Sequence, residues 1–103
     1  MKTGDIVLVP FPFSELINIK VRPAVVIATT KDRFEDLIVS AISSVIPDSI
    51  SPNEILLESN PINNLRVKSV IKVDRIVTIK KESVIARIGD LSENGLNYFV
   101  RVF

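Results

Sequence analysis

Arg22 stands directly before Pro23 at the head of an apolar run, RPAVVIA. Its guanidinium stays charged at any relevant pH and presents a planar fork of donors that matches two phosphate oxygens. Ser43 and Ser44 lie towards the end of a second apolar run. A hydroxyl there can hydrogen-bond a phosphate oxygen or help place a sugar hydroxyl. Farther along, Lys72 and Asp74 share one parity of an alternating segment with Arg66 and Lys68, while Val67, Ile71 and Val73 share the other. Period two sends the charged set to one outer face, where a carboxylate can accept a proton and an ammonium can hold an anion. Each residue also has a plainer reading. Arg22 can be a surface arginine that starts a strand, Ser43 a strand-end serine satisfying local backbone, and Lys72 and Asp74 an exposed ion pair of little energetic weight.

The chain has no cysteine and no histidine. A disulfide framework, a thiolate metal site, a cysteine nucleophile and an imidazole base are therefore all absent. Any chemistry falls to carboxylates, hydroxyls, Lys, Arg and backbone. The net charge of +1 is not the strong positive field of a general nucleic-acid binder, so any anion site must be a local patch.

The elements that must position these residues read as strands. Short β-branched runs recur at Ile6 to Val9, Val21 to Thr29, Leu37 to Ile46, Glu54 to Leu57 and Val67 to Ile79, separated by turn residues. Pro10 and Pro12 cannot donate to a ladder, which places the stretch around Phe11 and Phe13 at an edge or in a loop. Residues 14–20 read as an exposed loop. The centre of the second run, AVVIA, is apolar on both faces, so it is either covered twice or covered once and used as an interface. Arg75 breaks the alternation of the long run and marks a bulge, and is itself read as a surface residue. Strand character extends from Val84 to Ile88, Gly89 and Asp90 form a turn, and Ser92 caps a short terminal helix near Glu93 to Val100. So many short strands in 103 residues must close on themselves to hide their edges, as a small, partly open barrel. Residues 1–103 read as one domain, without a signal peptide or membrane span, expected to be soluble and cytoplasmic.

Four segments in order resemble the MazF/PemK family of toxin endoribonucleases from toxin–antitoxin systems: GDIVLV at 4–9, VRPAVVI at 21–27, VSAISS at 39–44 and SVIKVDRIVTI at 69–79. The tail IGDLS at 88–92 continues the likeness. The resemblance implies a mainly β fold, an SH3-like barrel with short helices, working as a homodimer. It implies metal-independent, cofactor-free cleavage of single-stranded RNA, held in check by an antitoxin whose disordered tail lies across the active-site groove. On this likeness Arg22 matches the family's catalytic arginine, Ser43 takes the place of a catalytic threonine, and Asp74 that of a catalytic carboxylate. Lys20, Lys72, Ser44 and Phe13 are the expected substrate contacts, with Lys72 standing where some relatives carry arginine. The alternative is a catalytically inactive barrel that binds RNA or an antitoxin-like peptide. A third reading, a structural dimerisation domain, rests on the strands that are apolar on both faces.

Overall fold

The structure, a computed structural model, describes residues 1–12 and 19–103. Among these, the strands are β1 (Asp5–Pro12), β2 (Ile19–Thr29), β3 (Leu37–Ser43), β4 (Glu54–Leu57), β5 (Ser69–Ile79) and β6 (Ala86–Asp90), and the helix is α1 (Glu93–Val102). Every pairing is antiparallel, in the order β4-β5-β3-β2-β1-β6, and the sheet curls into a half-barrel.

Two apolar clusters hold it together. One joins Ile6, Val25, Ile42 and Ile71 with Phe99 of α1. The other joins Val7, Val9, Val26 and Val39 with Phe11 and Leu37. Adjacent residues in β1 and β2 thus belong to opposite clusters, and Val25 and Val26 are both fully buried within this one chain. The apolar double face of AVVIA is accounted for by the curl of the sheet. It gives no separate support to a dimerisation role.

Phe11 is buried at 1% exposure and anchors the β1 end. Pro10 and Pro12 lie inside β1, but only beyond Leu8, where β6 no longer pairs with it. There β1 has one neighbour among the described residues, which is the setting a strand proline tolerates. Phe13 and most of the loop expected at 14–20 lie outside the described residues.

The reading of Gly89 and Asp90 as a turn does not hold, because both belong to β6. Asp90 pairs opposite Asp5, and like charges facing across a ladder repel. Arg87 relieves the pair, with Nε 3.3 Å from Asp5 Oδ1 and a guanidinium nitrogen 2.7 Å from Asp90 Oδ2. The strand expected from Val67 begins at Ser69, and the run expected to reach Ile46 ends at Ser43. The capped helix does form: Ser92 Oγ accepts from the Gly95 N–H at 3.2 Å.

Candidate functional site

Arg22 sits in β2 opposite Val9 of β1, half-buried, at the junction of two depressions. The smaller is a cleft of about 60 Å³ lined by Arg22, Phe11, Ala41, Ile42, Ser43, Lys72 and Arg75. The larger is a groove of about 490 Å³. Its walls come from Val21 and Pro23 beside Arg22, from Ile42 and Ser44 of the β3 end, and from residues 64–67 and Ser69. Its volume falls in the range of pockets that take small organic groups.

The far wall of the groove is built by asparagines. Asn63 Oδ1 accepts from the Asn60 and Leu65 N–H groups, and Asn63 Nδ2 donates to the Glu58 carbonyl. Asn64 Nδ2 reaches across to the Ile88 carbonyl at 2.6 Å and ties the loop to β6. These contacts set Leu65, Arg66 and Val67 facing Arg22 across the groove.

The cleft owes its composition to a bulge in β5. Ser40 pairs with Ile76 and the next residue, Ala41, pairs with Lys72, so Val73, Asp74 and Arg75 have no partner on β3. The sequence places a bulge at Arg75 but spans fewer residues. Its consequence is a change of face: Lys72 and Arg75 line the same cleft, although regular alternation would separate them. Arg75 is exposed, as expected of a surface residue, and it also lines the cleft, a placement that sequence reasoning missed. A bulge of this length can be read only from the pairing with β3.

Of the expected site residues, the structure gathers Arg22, Ser43 and Lys72 around the cleft and places Ser44 on the adjoining groove. Asp74 is exposed on the bulge and is not among the cleft-lining residues. Lys20 is exposed in β2, outside both linings. Ser43 Oγ accepts from the Val45 N–H at 3.1 Å, the local backbone role weighed for it, while still facing the cleft.

Lys72 has a partner that sequence reasoning did not pair with it. Glu54 Oε2 lies 3.3 Å from its Nζ, across the β4–β5 register that sets the two residues opposite each other. The Ser51 backbone N–H donates to Glu54 Oε1 at 2.9 Å, and this bond, helped by Lys72, holds the Glu54 carboxyl below the usual glutamate value. The described residues contain no cluster of three or more carboxylates able to hold a metal ion.

The model of the PemK-like, MazF-like toxins of type II toxin–antitoxin systems matches residues 2–98. The chain belongs to this family. Among solved structures, this PemK-like chain is similar to one described as an endoribonuclease in complex with its cognate antitoxin, from a mycobacterial species. The two share 12% identity with a TM-score of 0.73, over 97% of this chain and 87% of that one. At that identity the likeness is one of fold, and it agrees with the curled antiparallel sheet and single short helix seen among the described residues. No curated protein matches the chain at a significant level. No described helix is long and apolar enough to cross a membrane.

Proposed function

We propose that this PemK-like toxin is an endoribonuclease that cleaves single-stranded RNA without a metal ion, by attack of a ribose 2′-hydroxyl on the adjacent phosphate. The observation that carries the reading is the cleft itself, where Arg22, Lys72 and a serine hydroxyl converge with no carboxylate among the described residues that line it. Such a lining favours an anion the size of one phosphate group. In the reaction the 2′-oxygen bonds to phosphorus, the bond to the 5′-oxygen breaks, that oxygen takes up a proton from solvent, and a 2′,3′-cyclic phosphate and a 5′-hydroxyl result.

Arg22 serves the charge that builds on the crowded phosphorane, its fork bonding two non-bridging oxygens. Lys72 adds a second cation, and the Ser43 hydroxyl orients the phosphate or the attacking sugar. The proton of the 2′-hydroxyl goes to Asp74. Glu54, the carboxylate that faces Lys72, is a poorer base than an unpartnered glutamate, because its charged form is already stabilised by the Ser51 N–H and Lys72.

The larger groove, with mainly apolar walls and Arg22 and Arg66 on its surface, receives the flanking nucleotides or the tail of a cognate antitoxin. That partner is supported by the family and by the similar toxin–antitoxin complex. A homodimer is the proposed active form, tested by light scattering.

Incubation of the purified protein with a long single-stranded RNA in EDTA tests the activity. The wild type is expected to cleave, and Arg22→Ala to lose on the order of 10²–10³-fold in rate, as removal of one donor to a developing anionic charge does elsewhere. Asp74→Asn is expected to lose more rate than Glu54→Gln. No cleavage by the wild type, or equal cleavage by Arg22→Ala, overturns the reading. One observation favours the alternative of a binding module without chemistry: the Ser43 hydroxyl is already engaged by the Val45 N–H. RNA binding without cleavage or growth arrest would decide for it.

A further inference from the structure

We propose that Arg75 is a phosphate-binding cation of the Arg22 cleft, carried there by the β5 bulge, and that the buried hydroxyl of Ser40 is the positioning group that holds the bulge. The proposal rests on the reading that the cleft takes a phosphodiester of single-stranded RNA.

Arg75 reaches the cleft only because β5 leaves its register. With regular pairing, Lys72 and Asp74 would share a face and Arg75 would lie on the other. The unpaired stretch Val73–Arg75 breaks that parity and puts Arg75 beside Lys72, Ser43 and Arg22. The cleft, at about 60 Å³, is far smaller than the adjoining groove of about 490 Å³ and so suits a phosphate group better than a base.

The two β5 cations are not equivalent. The Lys72 ammonium is 3.3 Å from the Glu54 carboxylate, which offsets part of its field. Arg75 is exposed and makes no hydrogen bond or ion pair with the described residues. It also carries the planar fork that a lysine lacks.

The bulge is fixed at its first residue. Ser40 is fully buried in the middle of β3, and its Oγ donates to the Val73 carbonyl at 2.9 Å. The Val73 N–H donates to the Asn53 carbonyl at 3.0 Å. Both backbone groups of Val73 are thus tied outside the β3–β5 ladder. A buried serine in an apolar strand costs stability unless its hydroxyl is bonded, and here that bond goes to the displaced residue.

Binding of a 2′-O-methyl single-stranded RNA oligonucleotide, which lacks the attacking hydroxyl, separates this proposal from catalysis. Anisotropy titrations over a salt series would compare wild type, Arg75→Ala, Arg75→Lys, Ser40→Ala, Ser40→Ala with Arg75→Ala, and Lys31→Ala, whose side chain lies beyond the opposite end of β2 from Arg22. Arg75→Ala is expected to weaken binding by about tenfold or more. It should also make the slope of log K against log salt shallower by about 0.7, the value for one phosphate contact on a single strand. Arg75→Lys should keep the slope and lose part of the affinity, and Lys31→Ala should change neither.

Ser40→Ala should reproduce part of the loss in the wild type and add nothing once Arg75 is already Ala. A merely structural role would add the same loss in both backgrounds and would overturn the positioning claim. Wild-type affinity and slope in Arg75→Ala would overturn the binding claim, and would decide it even if circular dichroism showed Ser40→Ala to be unfolded. A wild type that binds the oligonucleotide through Arg75 yet leaves unmodified RNA intact would sink the ribonuclease reading and leave this proposal standing. Failure to bind the oligonucleotide at all would overturn both.

Discussion

The charged residues around the cleft differ in how firmly they are held. Glu54 is fixed by the Ser51 N–H and faces Lys72, whereas Asp74 and Arg75 are exposed on the bulge. This has a consequence for acid stability. The folded state holds the Glu54 carboxyl below its ordinary value, so the unfolded chain binds that proton more readily. The stabilisation is present above the ordinary glutamate pKa of about 4.3 and fades as pH falls through the lower folded value. Glu54→Gln should therefore be less stable than wild type near neutral pH, and the gap should close on acidification. Thermal melts from pH 7 down to pH 3 would check this, and a gap that stays constant with pH would contradict it. Among the expected substrate contacts, Lys72 and Ser44 line the two depressions and Lys20 does not, and the Glu54 partner of Lys72 was not legible. The two lie 18 positions apart and meet only across the β4–β5 register.

At the scale of elements, three strands depart from regular pairing, and a side chain from elsewhere takes the displaced carbonyl each time. Thr3 Oγ1 donates to Ile27 at the bulge in β2, Ser40 Oγ to Val73 in β5, and Asn64 Nδ2 to Ile88 in β6. A bulge leaves backbone groups outside the ladder, and burial makes them costly unless they are bonded. These hydroxyls and amides therefore help hold the bulges that interrupt the ladders. The β6 bulge also explains Gly89. A Cβ there would run into the backbone carbonyls of Ile62 and Asn63, which belong to the loop that walls the groove. Gly89→Ala should cost about 1–3 kcal/mol, the usual range for overpacking, because backbone and not a flexible side chain must move. Urea unfolding would measure it, and a change under about 0.5 kcal/mol would show that the loop yields freely. Gly4 has a different reason: its φ of 92° suits glycine, and Leu96 of α1 packs against the place a side chain would occupy.

For the molecule as a whole, the two apolar clusters lie on opposite faces of the same strands, and both are closed by the chain's own curl. Ile71 belongs to one and Leu37 to the other. Truncating either to Ala should cost about 2–5 kcal/mol, since each leaves a cavity in a packed interior. The two losses should add to within about 0.5 kcal/mol, because the side chains share no partners. Neither cost should depend on protein concentration. Denaturant unfolding of both single variants and the double variant, at two concentrations, would test this. A Leu37→Ala penalty that changed with concentration would place the second cluster at a subunit boundary.

What the sequence determined by itself is the set of local facts: β-branched runs that become strands, Glu54–Leu57 among them to the residue, the Ser92 cap, the proline-bearing end of β1, and the absence of histidine and cysteine that confines chemistry to Arg, Lys, hydroxyl and carboxylate. These follow from propensity, periodicity and composition, which act over a few neighbouring residues. It also carried the ordered segments that mark the PemK-like family. Only the tertiary structure decided which charged residues share a space. Register and bulges are set by pairing between distant strands, so the shift that brings Arg75 to Arg22 and leaves Asp74 outside the cleft lining has no local signature. The same reasoning applies to Gly89 and Asp90, which read as a turn until Arg87 and the β1 ladder turn them into strand.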